Sequence, residues 1–180
     1  MSDLPPGAGS HPASLSLRDH VLWQLAGGYA RPSLAEVAER INRGDRGRVL
    51  PGCAHSPWQI VRHLFICQED LLAYALEPEH VSPDFPAGLW PANPVPPTAA
   101  DWDRTLARYA ADRERLCDLV RTAAGGDEST GLLAGQPHLP RVSWLRQALI
   151  VSDHESYHTG QLATLAAAFS RREGDGADRR

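Results

Sequence analysis

Two histidines four residues apart stand in the stretch His154-Glu155-Ser156-Tyr157-His158-Thr159-Gly160-Gln161. On a helix this spacing puts both rings on one face, about one turn apart. At about 100° per residue, Val151, Leu162 and Leu165 fall within roughly 40° of His158, so the two imidazoles project from an apolar stripe. Burying a hydrogen-bonding group without a partner costs about 1–3 kcal/mol, and two adjacent rings repel when protonated. A divalent ion removes both penalties. A third candidate, His63, lies beside Ile60 and Cys67 at the margin of another apolar arc. Three neutral imidazoles that leave a coordination position open form a reactive metal site, whereas closed four-ligand sets are usually structural. The plainer alternative for each ring is a core histidine bonded to a carbonyl or carboxylate.

The same letters satisfy two other patterns. His154-Glu155-Ser156-Tyr157-His158 matches HExxH, in which two histidines hold zinc and the glutamate is the general base of a peptidase. Such a site needs a further ligand downstream, and only 22 residues follow His158, with Glu173 beside Gly174 in a charged tail. Glu155-Ser156-Tyr157-His158 is also the Glu-x-x-His of a di-iron bundle, but Ile60, three residues before His63, cannot supply the second copy. Glu155 falls about 60° from His158, toward the core, and is either a neighbour of the metal or an ordinary boundary carboxylate. Cys67, one turn from His63, reads first as a small buried hydrophobe. His11, His20, His55, His80 and His138 read as solvated or locally bonded, and Trp90 as a residue that could cover the mouth of a pocket.

Positioning these residues requires helices. Apolar periodicity and capping signals predict them over about 16–27, 56–76, 98–124 and 143–170, with a short one near 33–42. Ser56-Pro57-Trp58-Gln59 is the clearest start: a Ser N-cap, Pro in the first turn and Gln at N3. Residues 1–14 and 171–180 read as flexible tails and 125–142 as a loop, with no convincing period of two. Four amphipathic helices around one core make an all-α bundle, with its domain over 15–170.

The stretch ending in Gln161 resembles the HxxYHxGQ signature of the DinB-like family of damage-inducible and thiol-transferase four-helix bundles. The segment from Ser56 to Leu64, with His63 in it, resembles the corresponding second helix of that family. The resemblance implies a divalent ion (zinc, nickel or iron) on His63, His154 and His158. It further implies an enzyme that uses metal-bound thiolate or water, with transfer of low-molecular-weight thiols to small electrophiles preferred over hydrolysis. The competing class is a non-enzymatic, stress-responsive metal- or ligand-binding protein. Gly160 would then permit close helix packing and Gln161 would orient a neighbour.

Composition narrows the partners. With 180 residues the chain fits one domain, and 18 basic residues, all Arg, against 22 acidic ones give a net charge of −4. That balance argues against nucleic acid. Three cysteines without CxxC spacing argue against a disulfide framework, and neither a signal peptide nor a membrane-spanning run is seen. A soluble, cytoplasmic protein that takes small molecules and could pair as a homodimer is the expectation.

Overall fold

The structure, a computed structural model, describes residues 15–27, 31–123 and 128–177. The expected N-terminal tail, 1–14, lies outside them. Among the described residues the long helices are α1 (Leu17–Ala26), α3 (Pro57–Leu76), α4 (Ala99–Thr122) and α6 (Trp144–Ala177), with short helices α2 (Leu34–Glu39) and α5 (Glu128–Leu133) between them. This is the all-α bundle expected from the periodicity. α1 and α3 lie diagonally, each flanked by α4 and α6, while α2 packs on α6. No helix of the described residues is long and apolar enough to cross a membrane.

The helix starts follow local chemistry. Ser16, Ser33 and Ser56 each accept an N3 backbone N–H while the N3 side chain reaches back, closing capping boxes with Asp19, Glu36 and Gln59. α1 stops where Gly27 adopts φ +68°, a left-handed conformation that costs glycine little.

Two features depart from expectation. The segment predicted as loop contains α5 and a small antiparallel hairpin, β1 (Gly135–Gln136) with β2 (Leu139–Ser143). β1 is too short to show a period, and a Cβ on Gly135 would collide with the Pro140 backbone, so close approach of the two strands requires glycine there. Leu132 and Val142 are buried, which ties both pieces to the core. The second departure is at the C-terminus. α6 continues to Ala177 instead of stopping near Ser170, so 171–177 are helical, and 178–180 lie outside the described residues.

The core is divided along the bundle axis. One apolar cluster joins α2 to the early parts of α3 and α4 and the late part of α6, through Val37, Val61, Phe65, Trp102, Leu162 and Phe169. The other joins α1 to the late parts of α3 and α4 and the start of α6, through Leu25, Leu72, Leu116, Val120, Trp144 and Val151. Between them runs a polar layer. His63 and Gln68 enter it from α3, Arg113 from α4, and His154, Glu155 and His158 from α6. Trp58, Trp102 and Trp144 are buried core residues, as their positions on apolar stripes predict.

Gly160 does not serve helix packing. It is exposed, and a Cβ built there meets nothing within 4 Å. Gly160→Ala is therefore expected to raise stability by about 0.5–1 kcal/mol, read as an increased urea midpoint, because alanine loses less backbone entropy inside a helix.

Candidate metal centre

α3 and α6 bring His63, His154 and His158 to one point. Their ring centroids are 4.6–4.9 Å apart, and one ligand nitrogen from each lies within 4.8 Å of the others. Among the described residues this is the one group of three such side chains placed to hold an ion. The closest approach, His63 Nε2 to His154 Nε2, is 3.0 Å. Two nitrogens about 2.0–2.1 Å from a shared tetrahedral ion would be roughly 3.4 Å apart, a spacing between this closest approach and the 4.8 Å limit of the set.

Outer partners settle which nitrogens face the centre. His63 Nδ1 is 2.9 Å from the Leu89 carbonyl oxygen, which can only accept, so Nδ1 carries the proton and Nε2 of the neutral ring keeps its lone pair. His158 Nδ1 donates in the same way to Gln161 Oε1 at 2.7 Å. His154 Nε2–H then donates to His63 Nε2 when no ion is bound. For His154 to offer Nε2 to an ion as well, its ring would have to carry its proton on Nδ1.

Burial keeps these rings neutral. Desolvation pushes His63 down to about 4, despite the opposing bond to Leu89, and pushes His154 down to about 4 with help from the neighbouring histidines. His158 is lowered by the same cause, although its bond to Gln161 opposes the shift. The donor set fits a divalent ion: neutral, convergent nitrogens, two of them already oriented by outer hydrogen bonds.

The loop between α3 and α4 lines the site through Phe85, Pro86, Leu89 and Trp90, and the N-terminus of α3 holds it there. Ser56 Oγ donates to the Pro94 carbonyl at 2.6 Å and Gln59 Nε2 to that of Pro91 at 2.9 Å, so two residues of the capping box also anchor the loop. Trp90 is thereby inserted between His63 and His55, its ring centroid 3.7 Å from each in parallel stacks. Trp90, expected to cover the mouth of a pocket, is one of the residues lining it. His55 is a correction: it is not simply solvated but forms the outer layer of this stack, a contact that nothing in its sequence neighbourhood signals.

Glu155 turns away from the centre. Its carboxylate pairs with Arg31 at 2.8 Å and with Arg113, and accepts the Tyr109 hydroxyl proton at 3.0 Å. Arg113 also reaches the Leu25 carbonyl at 2.8 Å and Gln68 at 3.0 Å. The general base required by HExxH is thus occupied in a buried network facing α1 and α4. Cys67 Sγ lies 3.5 Å from His63 Nδ1 but outside the converging set, and burial pushes its thiol up to about 12, so it stays protonated.

Two outcomes follow for the imidazoles. Free histidine titrates near pH 6.5, whereas His63 and His154 take up protons only near 4. Metal affinity is therefore expected to hold down to about pH 5 and to fall steeply nearer 4, measured by competition with a chromophoric chelator. In the metal-free protein the unfolded chain binds more protons through that window. Stability is then complete above about pH 6.5 and declines as pH drops toward 4, seen as a falling urea midpoint. Separately, Gln161→Leu removes the acceptor that orients His158 and is expected to weaken metal binding by about 10- to 100-fold in the same assay.

A family model described as the DinB superfamily matches residues 28–162, three quarters of the chain, and the matched stretch contains all three histidines. No curated protein and no solved structure matches the chain.

Proposed function

The chain belongs to the DinB superfamily, and from that premise we propose that His63, His154 and His158 hold one divalent metal ion and that the protein brings a low-molecular-weight thiol to a small electrophile. The observation that carries this is the convergence of three neutral imidazoles at the inner end of an open cleft, with outer partners on two of them. An ion held there supplies Lewis acidity, which lowers the pKa of a thiol or water taking a further position.

The chain's own residues account for the rest. The Leu89 carbonyl and Gln161 fix ring orientation, Trp90 keeps water from the outer face of His63, and Cys67 stays protonated and does not compete with an incoming thiol. Glu155 cannot take the thiol proton, because both of its oxygens are held by Arg31, Arg113 and Tyr109. Thiols need no strong base at neutral pH once their pKa is lowered, whereas water-based hydrolysis commonly does. This favours thiol transfer over hydrolysis. Zinc, nickel and iron all suit imidazole ligands.

The test is metal analysis of the purified protein together with transfer assays using several small thiols. Bound metal with transfer that requires all three histidines supports the proposal. Bound metal without transfer favours the non-enzymatic binding protein, and failure to bind any divalent ion removes both.

A further inference from the structure

The imidazoles occupy one end of a much larger space. The cleft has a volume of about 660 Å³, within the range of small-molecule sites and more than an ion with a short thiol would fill. Leu71, Ile150, Pro86 and Leu89 contribute apolar wall. At its edge Phe85 and Tyr157 are 86% and 64% exposed, two aromatic rings that face water in this state and that a ligand in the cleft would cover.

Its charge is one-sided. The chain carries 18 basic side chains, yet none is among the described residues lining the cleft. The one carboxylate there is Asp70. Asp70 lies seven residues after His63 on α3, two turns along the same face and about 10 Å away. Its Oδ1 accepts from His80 Nε2 at 2.7 Å, which fixes the carboxylate in place, and His80 itself is not part of the lining.

We propose that this cleft takes an apolar, ring-bearing molecule that is uncharged or positively charged at the end away from the histidines, and that Asp70 is the residue that rejects carboxylates. The inference rests on this cleft being the functional site, but not on an ion being bound in it. In a cleft walled mainly by apolar surface two like charges repel more than they do in bulk water, and no arginine among the described lining residues offsets them. A neutral ring loses nothing by entering, and an ammonium group gains.

Three probes that share a naphthalene ring test this: 2-naphthylmethanol, 2-naphthylmethylamine and 2-naphthoate, binding to the full-length protein by ligand-observed NMR. The measurements are made in EDTA at pH 8, where histidine is neutral. The alcohol and the amine are expected to bind at least about tenfold more tightly than the carboxylate, as like-charge repulsion in the cleft requires. Asp70→Asn should bring the three within about threefold of each other, and Phe85→Ala should weaken the alcohol, which locates it in the cleft. Equal or tighter binding of the carboxylate to the unsubstituted protein overturns the proposal, as does no binding of any probe. Because that comparison is decisive in the unsubstituted protein, it stands even if Asp70→Asn fails to fold. Metal content, measured on separate samples, distinguishes the two ideas: charge-selective binding in a protein that takes up no metal refutes the metal centre alone, and metal uptake without charge selection refutes this inference alone.

Discussion

A His154→Ala protein is expected to bind divalent ions at least about a hundredfold more weakly than the unsubstituted chain while keeping its helix content. His154 sits against both partners, with centroids 4.9 Å from His63 and 4.6 Å from His158, and its Nε2 is the atom nearest another ligand nitrogen. Two imidazoles alone leave an ion mostly hydrated. The fold survives because the two apolar clusters on either side of the polar layer do not include these rings. Removing His154 also leaves His63 Nε2 without its partner at 3.0 Å, so the metal-free variant should lose about 1–3 kcal/mol of stability. Chelator competition reads the affinity and far-ultraviolet circular dichroism the helix content. An affinity within threefold of the original would eliminate the three-histidine site.

Glu155→Gln, one residue further along α6, should do the opposite. Arg31 and Arg113 would be left without a counter-charge between the helices, and breaking such a buried pair costs about 3–5 kcal/mol. That is a large part of the roughly 5–15 kcal/mol by which domains are stable, and it corresponds to about 6–20 °C in Tm for a chain of this size. Metal affinity should stay unchanged, because no Glu155 oxygen is directed at the imidazoles. The readouts are thermal unfolding and chelator competition on the same samples. If stability falls by under 1 kcal/mol while metal-dependent activity collapses, Glu155 is a base at the metal and the peptidase-like pattern returns.

Adjacent residues on α6 thus have opposite assignments, and the HExxH letters cannot separate them. His154 and His158 share a face because four residues make about one helical turn. That much is local, as are the capping boxes at Ser16, Ser33 and Ser56 and the apolar stripes that define the long helices. The candidate ligand His63 was legible through its segment's resemblance to a known second helix, and an orienting role for Gln161 through the same family resemblance, while its partner, His158, is given by the structure. Periodicity also placed Trp58, Trp102 and Trp144 in the core.

What each face of α6 meets was decided elsewhere. The carboxylate of Glu155 finds its partners 124 residues away in Arg31 and 42 away in Arg113, and His63 lies 91 residues from His154. No local pattern encodes those separations; they arise when diagonal packing of α1 and α3 puts α4 and α6 on both sides of each. The stack of His55, Trp90 and His63 depends on a loop without periodicity, held by two hydrogen bonds from the α3 N-terminus. The hairpin at 135–143 depends on close contact between Gly135 and Pro140, and α6 runs past the Ser170 at which its apolar signal fades. By itself the sequence determined the helices, their inward faces and the pairing of His154 with His158 on one face, because these follow from spacing along one chain segment. Only the tertiary structure decided that His154 faces the cleft and Glu155 faces away, because that depends on which neighbouring helix supplies imidazole and which supplies guanidinium.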